Sequence, residues 1–127
     1  MVEIIPQNHF EVNTYVLYDE TAECALVDVC SQTSREERAI LDFVNSKDLK
    51  VKYILLTHPH IDHLCGAEFA CREFNLPLSM SQDGVEILRT ASWQAEAMGF
   101  KRINVEAIHC QTNIGNCMID SSLYSTI

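Results

Sequence analysis

Apolar and polar residues fall in short blocks along this chain, and the period changes from block to block. Val2–Ile5, Thr14–Tyr18 (TYVLY) and Ala25–Val29 (ALVDV) are β-branched or apolar runs of strand length. The polar stretch Asp19–Cys24 between the last two predicts a hairpin. The run Thr33-Ser34-Arg35-Glu36-Glu37 offers a Ser or Thr with Glu three residues on, the form of a capping box, and Ile40, Phe43 and Val44 continue at helical spacing until Asn45-Ser46. Val51–Thr57 (VKYILLT) is apolar on both parities from Tyr53 onward, which predicts a strand covered on both faces. Leu64, Ala67, Cys71 and Phe74 then recur at helical spacing, with Glu68 four before Arg72. That helix is entered near Asp62 or His63 and closed by Asn75-Leu76-Pro77.

Further along, Leu78–Met80 is a short strand, and Asp83 with Glu86 three residues on opens another helix. Val85, Leu88, Ala91, Ala95 and Met98 form its stripe and Gly99 stops it. Trp93 falls off the stripe and is assigned to cover a loop or a pocket. Ile103–Ile108 and Cys117–Asp120 complete the strands. The order β-β-β-α-β-α-β-α-β, without repeat or linker, predicts one layered α/β domain over residues 1–127, long enough to bury a core.

Charge and cysteine usage narrow the partners and the compartment. Nine Lys and Arg against 18 Asp and Glu give a formal net charge of −9, which disfavours binding to phosphate backbones. Neither a secretory leader nor a membrane-spanning apolar run is visible, so no membrane role and a cytoplasmic location are expected. Cys24, Cys30, Cys65, Cys71, Cys110 and Cys117 form no C-x-x-C pair, and in that compartment they are expected as reduced, buried thiols.

The chemistry concentrates in residues 57–66, THPHIDHLCG, which hold three of the five histidines. His58 and His60, two apart in extended backbone past a strand end, project to one side and can share a metal. Asp62 and His63 follow through a turn as a second carboxylate–imidazole pair. Neutral imidazoles with a carboxylate suit zinc, and also iron or manganese.

This segment resembles the H-x-H-x-D-H signature of the metallo-β-lactamase-fold hydrolases, with the strand before and the helix after that the signature has there. Asn13-Thr14-Tyr15 and ALVDVC, with Asp28 at its strand end, are similar to the opening hairpin of that family. Among its members the small glyoxalase II-like thioester hydrolases match best. The resemblance implies an αββα fold and two metals per site. His58 and His60 would bind the first metal, Asp62 and His63 the second, with Asp62 also orienting the attacking water. Asp28 would support the metal loop from behind, although a turn-forming aspartate after a strand reads equally well. The implied substrate is a small thioester or ester.

Two departures limit the match. Where the family places a third histidine after a strand, VEAIHC runs into Gln111–Asn116; His109 precedes the turn, and Asn113 stands where the ligand belongs. The chain stops at Ile127, so the expectation is the N-terminal half of the αββα fold, without the carboxylate and histidine of the second half. A truncated, inactive remnant with a partial metal loop is therefore the alternative to an active hydrolase. A sheet face left uncovered would favour self-association. Elsewhere, His9 beside Phe10 is read as a surface or packing residue, Cys65 as buried on its helix, and Lys101-Arg102 as solvated surface. No phosphate loop or G-x-S-x-G elbow is present.

Overall fold

A computed structural model of the chain describes residues 1–58, 60–82, 84, 88, 90–100, 108, 110–114 and 117–118. Strands β1 (Val2–Gln7), β2 (Val12–Tyr18) and β3 (Glu23–Val27) form an antiparallel meander. Strands β4 (Lys50–Leu56), β5 (Leu78–Met80) and β6 (Cys110–Gln111) extend it in parallel, giving one sheet in simple sequence order. The short strands β7 (Asn113–Ile114) and β8 (Cys117–Met118) form a separate antiparallel pair.

Each parallel step moves one strand in the same direction, so right-handed crossovers lay their helices on one face of the sheet. These helices are α1 (Ser34–Ser46), α2 (Ile61–Leu64), α3 (Ala67–Phe74) and α4 (Ala91–Met98). The register places Val16, Leu26, Ile54 and Leu78 side by side across four strands, all essentially inaccessible. Ile40 and Val44 of α1, Ala67, Phe69 and Ala70 of α3, and Ala91 and Ala95 of α4 join them in one core.

The neighbouring rows, Val2–Leu17–Ala25–Tyr53 and Ile4–Tyr15–Val27–Leu55, point to the other face. Val2, Ile4 and Tyr53 there are 57 %, 51 % and 42 % exposed. The expectation that β4 is covered on both faces is therefore corrected: its second face is open at Tyr53 among the described residues.

The capping box is present, with Glu36 N–H donating to Thr33 Oγ1 and the Glu36 carboxylate returning to Thr33 N–H. The single helix expected from an entrance at Asp62 or His63 to Phe74 is corrected to two pieces, α2 starting after an N-cap at His60 and α3 after Gly66. Gly66 explains the break. A Cβ there would stand 2.6 Å from Ser31 N and 2.9 Å from Val29 O, so the chain must pass bare-backboned against the loop after β3. Asn75 ends α3 in the left-handed conformation, and Gly99 ends α4.

Met98, placed on the buried stripe by its spacing, is 37 % exposed because α4 stops there and Phe100 takes the buried place. Trp93 is 73 % exposed, so most of its ring covers no loop or pocket among the described residues. The helix start at Asp83 and Glu86, most of Ile103–Ile108 and the end of Cys117–Asp120 lie outside the described residues. No helix among the described residues is long and apolar enough to cross a membrane.

Candidate metal centre

Parallel neighbours β3 and β4 end at the same level, and their two exits build the site. Asp28 is the first residue beyond β3. Its N–H still donates to Leu55 O at 2.9 Å, but its φ of 55° turns the chain sharply aside. Aspartate tolerates that left-handed backbone better than most residues. Thr14 Oγ1 of β2 donates to Asp28 O at 2.8 Å, and Cys30 N–H donates to Thr14 Oγ1 at 3.3 Å, so the turn is pinned from a third strand.

The Asp28 side chain is 3 % exposed, and its carboxylate accepts three hydrogen bonds. Thr57 N–H donates to Oδ1 at 2.7 Å; Thr57 Oγ1 and His63 Nδ1 both converge on Oδ2, the latter at 2.9 Å. These bonds fix where the imidazole protons sit. An ionised carboxylate only accepts, so His63 carries its proton on Nδ1. The single Thr57 hydroxyl proton goes to Asp28, so Thr57 Oγ1 must accept from His58 Nδ1, 2.8 Å away. In their neutral forms both rings then present a bare Nε2. A buried carboxylate fixing imidazole tautomers from behind is the usual companion of a metal-binding histidine.

His58, His63 and Asp28 bring ligand-type atoms within 4.8 Å of one another, and the two rings lie 4.8 Å apart between centroids. The donor set fits a transition-metal ion that takes neutral imidazole. Asp62 stands beside it, its Oδ2 3.8 Å from His63 Nε2. His60 is exposed at the N-cap of α2 and lies outside the trio. Its carbonyl accepts from His63 and Leu64 N–H at 3.0 and 3.1 Å. Ile61 and Leu64 are fully buried on either side of Asp62 and His63, which hold the turn by its apolar side and leave the polar pair outward. The hydrogen bond to Asp28 raises the His63 pKa above the ordinary imidazole value, against burial and with help from the charges of Asp28 and Asp62.

The expectation that Cys65 is buried on its helix is corrected: it caps α2 in the turn before α3 and is half-buried, its Sγ donating to Cys30 O at 3.0 Å, and burial pushes its thiol up to about 12. His9 packs between Phe10 and Phe100, with centroids at 4.5 and 4.6 Å. His109 lies outside the described residues, and Asn113 is described only as backbone of β7. Thr57 and Thr14 carry no chemical signal in the sequence, because a threonine in or at the end of a strand reads as ordinary β propensity. Asn8, which donates to Asp62 O at 2.9 Å, carries no sequence signal of its own.

The exits of two adjacent parallel strands thus set a buried aspartate behind a histidine turn. Residues 8–115 match the model of the metallo-beta-lactamase superfamily, and the chain belongs to that family. Hydroxyacylglutathione hydrolase GloC of Haemophilus influenzae is 27 % identical over 104 residues, covering 81 % of this chain and 47 % of that protein. The crystal structure of BLEG-1 B3 metallo-beta-lactamase superposes with a TM-score of 0.72 at 22 % identity, over 95 % of this chain and 57 % of that one. TTHA1623, solved in a di-iron-bound form, gives a TM-score of 0.69 at 20 % identity, over 80 % and 49 % of the two chains. The fold is therefore the metallo-β-lactamase fold, and this chain spans about half the length of these relatives.

Proposed function

We propose that the chain carries the metal turn of a glyoxalase II-like hydrolase acting on a thioester or small ester. The observation behind this reading is the Asp28–Thr57–His58/His63 network, which fastens two imidazole rings beside each other with centroids 4.8 Å apart. In this reading His58, His60, Asp62 and His63 are the metal ligands contributed by this chain, with zinc, iron or manganese as the ion. Bound there, such an ion supplies Lewis acidity that makes water nucleophilic near neutral pH and polarises a carbonyl. The Asp62 carboxylate, beside His63, would orient that water; Asp28 holds the His58 and His63 rings in one tautomer. The hydroxyacylglutathione hydrolase relative supports a thioester, and the −9 charge supports a small molecule over a nucleic acid. The free thiols Cys24, Cys30, Cys65, Cys71 and Cys110 support a reducing, cytoplasmic setting.

A second reading is favoured by the ligand count. Among the described residues only two imidazoles and Asp28 converge, and Val2, Ile4 and Tyr53 on the second sheet face are exposed. In that case residues 1–127 form the N-terminal half of a metallo-β-lactamase-like domain, bind at most one metal weakly, pair with another copy through the open face, and turn nothing over. Metal analysis after dialysis, light scattering and an acyl-glutathione hydrolysis assay with added zinc or iron separate the two. Two tightly held metals, a monodisperse monomer and metal-dependent turnover support the hydrolase; a self-associated, inactive chain supports the remnant.

A further inference from the structure

The one-turn helix α2 cannot hold itself. Four residues make few internal bonds, and a helix so short is unstable alone. Two side chains from distant elements complete it. Gln94 Oε1 of α4 accepts from Ile61 N–H at 3.1 Å, and Asn8 Nδ2 donates to Asp62 O at 2.9 Å.

Asn8 sits in the β1–β2 turn, 8 % exposed, with a φ of 54°. Its amide is fully used. Oδ1 accepts from Phe10 N–H at 2.8 Å, and Nδ2 reaches Cys30 O at 3.1 Å as well as Asp62 O. Its own N–H donates to Glu36 Oε2 at 2.5 Å. The other oxygen of Glu36 accepts from Gln32 and Thr33 N–H at 2.7 and 3.1 Å. One carboxylate therefore closes the start of α1 and holds the Asn8 backbone, while the Asn8 side chain grips the loop after Asp28 and the metal turn together.

We infer that Asn8 is the positioning residue that aims the Asp62–His63 pair; this rests on the metal reading above. Asp62 O and His63 N share one rigid peptide plane. That plane is held at one end by Asn8 Nδ2 and at the other by the bond from His63 N–H to His60 O at 3.0 Å. Releasing the Asn8 end frees the plane to rotate, and both side chains swing with it.

The test is Asn8→Asp, which keeps the side-chain acceptor and tolerance of positive φ but removes both N–H donors. Cobalt(II) is titrated into the full chain, following both Kd and the visible d–d bands. The expected result is a Kd weakened at least about tenfold with altered bands, the scale on which outer partners of metal ligands act. In the metal-free protein, amide exchange at His63 and Leu64 should quicken while the middle of α1 is unchanged. Ile40→Val, a core change far from the turn, controls for lost stability and should leave Kd and bands alone. If Asn8→Asp does not fold, Asn8→Gly keeps the backbone conformation and carries the same expectation. Wild-type cobalt binding by either Asn8 variant, or an equal loss in Ile40→Val, overturns the inference and leaves the metal reading standing. No cobalt binding by the wild type, or none lost in His58→Ala, overturns the metal reading and the inference with it.

Discussion

Replacing Asp28 by asparagine should leave the fold standing and put the protons of both imidazoles on the wrong nitrogens. Asparagine tolerates the φ of 55° at this position. Its oxygen still accepts from Thr57 N–H, but an NH₂ group now stands where Oδ2 accepted from Thr57 Oγ1 and His63 Nδ1. Each partner answers by reversing. His63 Nδ1 becomes an acceptor and its proton moves to Nε2; Thr57 accepts from the amide and donates to His58 Nδ1, which moves that proton to Nε2 too. The bond count is conserved, so stability changes only by exchanging charge-assisted bonds for neutral ones. At ~1 kcal/mol for each of two bonds, the loss is about 2 kcal/mol. Metal binding then requires both rings to return to the original tautomer at the expense of those two neutral bonds. That costs a further ~2 kcal/mol, or about thirtyfold in Kd. Side-chain ¹⁵N spectra of the metal-free chain report the tautomer, and cobalt titration reports Kd. Nδ1-protonated rings in the Asp28→Asn variant, or an unchanged Kd beside flipped rings, would refute the reasoning.

His60→Ala is expected to remove most of the metal affinity and His9→Ala to leave it unchanged; equal zinc retention by the two in titration would defeat the ligand assignment. Gly66→Ala should destabilise by about 1–3 kcal/mol in urea unfolding. The added methyl meets Ser31 N at 2.6 Å and Val29 O at 2.9 Å, which are backbone atoms with little room to yield. In chelator, His63 makes stability depend on pH. Its folded pKa is raised, so its contribution is complete below the unfolded value of ~6.5 and disappears as pH rises through the folded one. Unfolding midpoints that rise over that interval would contradict this, and Asp28→Asn should flatten the profile.

Local signals in the sequence foretold local structure well. Thr33 and Glu36 form the cap their spacing announces, and Asn75 and Gly99 end helices where expected. The metal turn was legible because its residue types are rare together. What could not be read depends on contacts across the chain. The apolar period runs unbroken through residues 64–74, yet Gly66 interrupts the helix to clear Val29 and Ser31. Spacing pairs His58 with His60, whereas the ring lying 4.8 Å from that of His58 is His63, held by Asp28 thirty-five positions away. Asn8 was invisible because a polar turn residue looks the same whether it faces water or a distant carbonyl.

The proposed ligands all lie within six consecutive residues, and this bears on how the chain should respond to chelation. A metal that ties distant segments closes long loops in the unfolded chain and can hold a small domain together, so removing it unfolds the protein. An ion held by residues 58–63 closes only very short loops. The turn is already fastened by the buried Ile61 and Leu64 and tied to β3 through Asp28. Chelation should therefore empty the site without melting the domain, so that the chain can be stripped, reloaded with a different ion and studied again as the same folded scaffold.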